Sequence, residues 1–399
     1  MKYIILVGDG MADYPLAELG GKTPLEAAET PAIDYLASHG QLHTLKTVPD
    51  GLAPGSDIAN LSLLGYNPAG YYTGRAPLEA ASLHVALGEQ DIAYRCNLVT
   101  LAFADHDRAT MVDYSAGHIS TPEAAALITS LAAELNGGGL GFYPGVSYRH
   151  LLVVGRAVGN LGTVPPHDHT GNDVSNFWGA YLANPVFGPL VRRAVEILAR
   201  HPINLARIEA GKQPANAIWL WGEGRAPSMP TLQSQFGLSG ALISAVDLLK
   251  GIGVYAGMEV INVPGATGYL DTNYQGKAEA ALQALERHDL VFVHVEAPDE
   301  AGHQGLINEK VRAIHDFDQK IVKPIVDGMA GKDFRLAITC DHFTPIALKT
   351  HAAHPVPIVI FDSTATTAGG GLTYSEHNAD SSGSLLASGE AFFAALLGR

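Results

Sequence analysis

Short apolar runs recur along this chain, and most are followed within a few residues by a carboxylate, a histidine or a glycine. Tyr3–Val7, Leu290–Val295, Arg335–Thr339 and Val356–Phe361 are nearly continuous in apolar residues, the pattern of strands covered on both faces of a parallel sheet. Ala217–Leu220 and Glu259–Val263 read the same way. Helical periodicity fills the intervals at Thr30–His39, Asp57–Leu64, Gly240–Lys250, Gly276–Arg287 and Val311–Met329. Ser56 falls just before the Asp57 helix, in N-cap position. Repeated alternation of strand and helix predicts an α/β fold, a mostly parallel sheet sandwiched by helices.

The middle of the chain breaks this rhythm. Ser82–Leu87, Ile92–Thr100 and Thr110–Tyr114 read as strands. A helix follows to Leu135, with Thr121 as cap and Pro122 at its first position, and the Asn136-Gly-Gly-Gly run ends it. Leu140–Tyr143 and His150–Val154 are again strand-like. This stretch predicts a smaller inserted α+β domain at residues 82–165, within a core built from residues 1–81 and 166–399. Ala365–Leu372 reads as a loop of small residues.

Composition narrows the classes. The chain has 399 residues, more than one hydrophobic core usually supports, which agrees with two domains. With 25 basic against 40 acidic residues, the net charge of −15 repels nucleic acid and anionic membrane, so neither is an expected partner. An anionic substrate would need metal ions or a few placed Arg and Lys. No apolar run reaches the roughly 18 residues of a membrane span. The N-terminal apolar stretch reads as a buried strand rather than a signal peptide. The only cysteines, Cys96 and Cys340, make no disulfide framework, which points to a reducing, cytoplasmic setting.

Chemistry concentrates where the strands end. Asp9 follows the first strand, Asp299 and His303 follow LVFVHVEAP, Asp341 and His342 follow RLAITC, and His351 precedes the last strand. Ligands of open α/β sheets bind beyond the carboxyl ends of the strands, so these distant residues should converge on one rim. An Asp and a His four apart lie on one face of a helical turn and can share an ion. Each motif alone also has a plain reading: a turn for Asp9-Gly10, a capped loop for DEAGH, a backbone-bonded Asp for Asp341-His342. Their joint occurrence, in this order, is what is specific.

DGMAD, PGSDIANLSLLGY, YYTGRAPLEA, AYRCN, VPGATGYLDTNYQGKAEAAL, HVEAPDEAGH, TCDH and HAAHPVP together resemble the cofactor-independent phosphoglycerate mutases of archaeal type, in the alkaline phosphatase superfamily, over nearly the whole chain. The resemblance implies an alkaline-phosphatase-like fold and two divalent ions. One ion would be held by Asp9, Ser56, Asp341 and His342, the other by Asp299, His303 and His351, with His354 outside the set. Mixed nitrogen and oxygen ligands suit manganese, favoured here, with zinc or magnesium as alternatives. No 2,3-bisphosphoglycerate would be needed.

The same resemblance makes Ser56 the nucleophile, activated by metal and by the positive end of its helix. The implied reaction takes the phosphoryl group of 3-phosphoglycerate onto Ser56 and returns it to the other hydroxyl as 2-phosphoglycerate, with the inserted domain excluding water. Arg75, Arg95, Arg149 and Lys277, in family-like segments, are candidate substrate cations, and Arg225 in the WGEGR run is another. That run differs from archaeal members and suggests a bacterial-type subgroup. His167 is a candidate acid or base, with Asp168 to orient it, and Arg149 is counted with the catalytic set. Two alternatives keep the metal site: a homoserine kinase-like phosphotransferase and a phosphomonoesterase. A degenerate metal-binding regulatory protein would lack some of these ligands, and all seven are present.

Overall fold

The computed structural model describes residues 1–104, 108–155, 161–366 and 369–399. Among these the strands are β1 (Lys2–Gly8), β2 (Gln41–Leu45), β3 (Ile92–Phe103), β4 (Ala109–Asp113), β5 (Leu140–Tyr143), β6 (Arg149–Val154), β7 (Ala217–Gly224), β8 (Gly240–Ile243), β9 (Glu259–Ile261), β10 (Leu290–Val295), β11 (Phe334–Thr339), β12 (Val356–Asp362) and β13 (Leu385–Leu386). The chain divides into two compact units, one of Met1–Tyr72 with Ser228–Arg399, the other of Thr73–Pro227.

The first unit is built on an eight-stranded sheet ordered β13-β2-β12-β11-β1-β10-β8-β9. Only the two pairings made by β12 are antiparallel. The centre is dry: Ile4–Val7 and Leu290–Val293 are fully buried, which their unbroken apolar runs require. Because β11, β1 and β10 are adjacent and parallel, their carboxyl ends open on one edge. The amino end of the reversed β12 reaches that same edge. This is the mostly parallel α/β sheet with helices packed on it that the sequence predicts.

The second unit is a five-stranded antiparallel sheet centred on the long β3, which pairs with β4, β6 and β7. Helices Thr121–Leu135, Ser175–Ala183 and Phe187–Arg200 cover it, and Leu127, Trp178, Phe187, Val191 and Trp219 lie in one buried cluster.

Several elements differ from the sequence reading, each for a local reason. The inserted unit spans Thr73–Pro227 rather than 82–165, because β7 pairs along β3 and so belongs to this sheet rather than to the core. Ser82 ends a helix, Arg75–Ser82, instead of starting a strand, and His84 follows in the left-handed region at φ 58°. Gly240–Ile243 is a strand and the helix begins only at Asp247; a short buried apolar run carries no periodicity to separate the two. Ser120, not Thr121, caps its helix, in a capping box with Glu123. The long helix after Val311 contains a π turn at Asp318–Val322. There the Asp318 carboxylate accepts the N–H of Ile33, at 2.7 Å, and of Ala32 at the start of the Pro31–His39 helix, whose own Thr30 makes no side-chain cap. Positions 367–368 of the expected Ala365–Leu372 loop lie outside the described residues.

Candidate functional site

Three loops from three neighbouring strands carry the acidic groups. Asp9 leaves β1, Asp299 lies on the Ala297–Gln304 helix after β10, and Asp341 with His342 leaves β11. The Asp9-Gly10 turn is not a bland one. Gly10 sits at φ 61°, and a Cβ there would lie 2.7 Å from Asp299 Oδ1 and 2.5 Å from Thr344 Oγ1. Its N–H donates to Asp341 Oδ1 at 3.2 Å. Only glycine lets the two carboxylate loops approach this closely.

Asp9, Asp299, Asp341 and His342 are all buried, and among the described residues no Lys or Arg forms an ion pair with these three carboxylates. Burial, with the charges of Asp341 and Asp299, drives the Asp9 carboxyl well above its ordinary range. Burial also works against Asp299, yet the His303 and His351 imidazoles hold it well below. Burial likewise opposes ionisation of Asp341, and chiefly His342 keeps it low.

The imidazoles face inward with their lone pairs. His303 Nδ1 lies 3.0 Å from the Lys349 carbonyl and His351 Nδ1 3.4 Å from the Pro54 carbonyl, so each carries its proton there. Their Nε2 atoms then meet at 2.9 Å, beside Asp299 at 3.3 and 3.5 Å. Two lone pairs and a carboxylate so close repel unless a cation or a proton lies among them. His303 takes the proton when no cation is present, its pKa raised to about 9 by the Asp299 hydrogen bond despite burial.

His342 repeats the pattern. Nδ1 is 3.2 Å from Thr344 Oγ1, which itself donates to Asp299, leaving Nε2 toward Ser56 Oγ at 3.2 Å, Asp341 Oδ2 at 3.4 Å and Asp9 Oδ1 at 3.7 Å. Among the described residues the buried Asp9 Oδ1 has no hydrogen-bond partner. Among the described residues three donor groups could each hold an ion: Asp299–His303–His351, Asp9–Asp299–His342 and Asp9–His294–Asp341. The seven expected ligands thus lie together, and their uncompensated charge and orphaned acceptor fit bound divalent cations.

Ser56 is the first residue of the Ser56–Leu63 helix, and Gly55 occupies the cap position. Its Oγ is therefore not spent on capping and points to His342 instead. Asn60, one helical turn on, donates to the Ser56 carbonyl at 2.8 Å and to Asp341 Oδ2 at 3.0 Å, tying the helix to the β11 loop. His354 packs against Tyr14 and Phe343, outside this group.

The remaining candidates divide between the units. Lys277 is fully buried in the first unit and its Nζ donates to the His294 carbonyl at 3.0 Å. Burial lowers its pKa to about 8, and it presents no surface to a substrate. In the second unit, Arg95 stacks 4.1 Å above the Trp221 ring and pairs with Glu79 at 3.0 Å. Burial pulls the Arg95 pKa down against the opposing Glu79, and the nearby Arg75 and Arg149 add to the lowering. His167 stands edge-on to Trp221 and Tyr114, 3.5 Å from Asp168. Burial keeps its pKa low despite Asp168, so it is neutral and able to accept a proton at pH 7. Arg75, Arg95, Arg149 and His167 therefore form one group, whereas Arg225 is exposed and bonded to the Glu89 carbonyl.

Sequence reasoning passed over His294, Asn60, Thr344 and Lys310. His294 interrupts the apolar run of β10, a signal that was available. Lys310 was not: its Nζ lies in the interior, bonded to Asp13 at 2.8 Å and to the Ala12 and Thr344 carbonyls. It joins the segments that follow Asp9 and His342.

Fold and site together define an α/β enzyme with groups that could hold divalent cations at the carboxyl ends of its parallel strands. A family model described as 2,3-bisphosphoglycerate-independent phosphoglycerate mutase matches residues 37–204. The protein of that name from Methanosarcina barkeri is 54% identical over 385 residues, 95% of each chain. The one described as probable from Geobacter sulfurreducens is 50% identical over 98% of each chain. Among solved structures, a Pyrococcus horikoshii protein superimposes with a TM-score of 0.83 at 28% identity, covering 100% of this chain and 97% of that one. A cofactor-independent phosphoglycerate mutase from Thermoplasma acidophilum gives 0.67 at 28% identity, with 100% and 99% covered. The chain belongs to the 2,3-bisphosphoglycerate-independent phosphoglycerate mutase family. No described helix is long and apolar enough to cross a membrane.

Proposed function

We propose that this protein interconverts 3-phosphoglycerate and 2-phosphoglycerate through a phosphoserine on Ser56, without 2,3-bisphosphoglycerate. The observation that carries the mechanism is the uncapped Ser56 Oγ at the head of its helix, 3.2 Å from His342 Nε2 and amid the buried carboxylates. Membership of the family supports the substrate. We assign one cation to Asp9, Ser56, Asp341 and His342 and the other to Asp299, His303 and His351. Mixed imidazole and carboxylate ligation favours manganese, with zinc or magnesium as substitutes. Bound divalent cations supply Lewis acidity, lowering the serine pKa and offsetting phosphoryl charge.

Ser56 Oγ bonds to phosphorus as the bond from phosphorus to the C3 oxygen breaks; the serine proton leaves and a proton reaches the C3 oxygen. The glycerate C2 hydroxyl then gives up its proton and bonds to phosphorus as the bond from phosphorus to Ser56 Oγ breaks, and Oγ recovers a proton. His167 is assigned to the proton on the glycerate oxygens, with Asp168 orienting it. Arg75, Arg95 and Arg149 are assigned to the substrate's carboxylate and phosphate, where Arg offers a planar fork. Lys277, being buried, is assigned no substrate contact.

The test is turnover of 3-phosphoglycerate with Mn²⁺ and no bisphosphoglycerate, read by coupling to enolase. Activity that disappears in Ser56→Ala and on chelation is the expected result. A metal-loaded enzyme inert toward 3-phosphoglycerate would refute the substrate while leaving the site.

A further inference from the structure

His294 is the fourth imidazole at this site, and the assignment above leaves it unused. It lies in β10 opposite Val7 of β1, two residues before Asp9, and its side chain is wholly inaccessible. Its Nε2 sits 3.0 Å from Asp9 Oδ2, yet makes no hydrogen bond there or to any other of the described residues. The contact has the distance of a hydrogen bond without its direction. The other ring nitrogen, Nδ1, lies 3.4 Å from Ser244 Oγ, which also accepts the Val246 N–H at 3.0 Å. A hydroxyl oxygen has two lone pairs, so Ser244 can accept both and hold the imidazole proton on Nδ1. Nε2 is then a bare lone pair, buried against a carboxylate.

A buried lone pair and a carboxylate oxygen at 3.0 Å repel unless a cation or a proton lies between them, and among the described residues Asp9 Oδ1 on the same carboxylate is equally without a hydrogen-bond partner. One cation would satisfy both orphaned atoms. The donor atoms of Asp9, His294 and Asp341 already lie within 4.8 Å of one another. Lys277 anchors the His294 carbonyl from behind, at 3.0 Å, which restrains the backbone that aims the ring. A metal-bound imidazole characteristically donates its second N–H to a neighbouring acceptor, which is the part Ser244 is placed to play.

We propose that His294 is a further ligand, through Nε2, of the divalent cation held by Asp9 and Asp341. The inference rests on the two-cation reading of the site. It makes that ion richer in nitrogen, with His342 and His294 both on it, and so favours transition cations over magnesium.

Equilibrium dialysis against Mn²⁺ buffers, followed by metal analysis, reads the affinity of each ion. His294→Gln should weaken one ion by roughly 100-fold or more, beyond what loss of an outer hydrogen-bond partner alone typically costs, and leave the other unchanged. Pulsed EPR counts directly bound imidazole nitrogens. It is run on His303→Ala, where the Asp299–His351 ion is lost and the Asp9 ion stands alone. Couplings from both His342 and His294 are expected, falling to one imidazole when His294→Gln is added. Unchanged affinity, or a single coupled imidazole with His294 present, overturns the inference even if the glutamine variant fails to fold. Weaker binding with an unchanged imidazole count also overturns it, leaving His294 as a residue that merely positions Asp9. Wild-type protein that binds no divalent cation would instead defeat the two-cation reading itself.

Discussion

Ser56 stands first in its helix but leaves capping to the Gly55 position, and this separates its two possible roles experimentally. Replacing a true N-cap serine by alanine costs about 1 kcal/mol. In the metal-free protein Ser56→Ala is therefore expected to keep its melting temperature, read by calorimetry with a chelator present, while the Mn²⁺-supplied variant loses turnover in the enolase-coupled assay. Gly10 is the opposite case. Its left-handed φ of 61° and the 2.7 Å approach of Asp299 Oδ1 to any added Cβ leave no room for alanine. Gly10→Ala should cost about 1–2 kcal/mol from the backbone alone and more from the clash, and should lower metal content at matched Mn²⁺. His303 gives a pH prediction. Without a cation its pKa is raised to about 9 from an ordinary 6.5, mainly by Asp299. The stability this lends the metal-free protein is complete below about pH 6.5 and is lost as pH rises through 9. Cation binding near neutral pH must displace that proton. Calorimetry in buffers of different ionisation enthalpy should find proton release that fades above pH 9.

At the scale of elements, the site depends on how neighbouring loops are tied. Lys310, on the Ile307–Phe317 helix, reaches Asp13, while the Asp13 carboxylate accepts the Ile346 N–H at 3.0 Å. Both side chains are fully buried. One ion pair thus joins the segment after β1 to the segment after β11, behind the carboxylates. Removing one member leaves the other charge stranded. Lys310→Met should cost about 3–5 kcal/mol by urea unfolding, whereas Lys310→Met with Asp13→Leu should recover a substantial part of that loss. Recovery of stability without recovery of metal affinity is the expected outcome, because the hydrogen bonds that aim the loops would still be missing.

The whole molecule separates metal binding from the substrate cations assigned above. Every assigned metal ligand belongs to the unit of Met1–Tyr72 and Ser228–Arg399, and the Arg75, Arg95, Arg149 and His167 group belongs to Thr73–Pro227. The second unit has its own sheet and its own buried cluster. A fragment spanning Thr73–Pro227 is expected to fold alone and to melt at the same temperature with and without a chelator. The full chain should lose stability on chelation, since saturating a site at 100 times its dissociation constant contributes about 2.7 kcal/mol. Thermal melts of both proteins, with and without EDTA, check this. An unfolded fragment would show that its core is incomplete.

Much of this protein is determined by local sequence. The strands β1, β10, β11 and β12 are legible because a doubly covered strand must be apolar throughout, and Asp9, Asp299, Asp341 and His342 because chemistry sits where such strands end. The seven residues assigned as ligands were named through the family resemblance that their motifs carry together, and the structure brings their side chains into one region. What tertiary structure alone decided is how side chains far apart in the chain meet. The apolar Gly240–Ile243 run becomes a strand only because β10 and β9 flank it, and Ala217–Gly224 joins the second unit only because β3 offers it an edge. Lys277 carries the composition of a surface cation and lies buried under His294, while His294 itself resembles an accident in an apolar run until Asp9 is seen beside it. Periodicity reports which face of an element is dry. It carries no information about which buried polar atoms from other elements will share that interior, and the cost of leaving such atoms unpaired is settled only when the strands are in register.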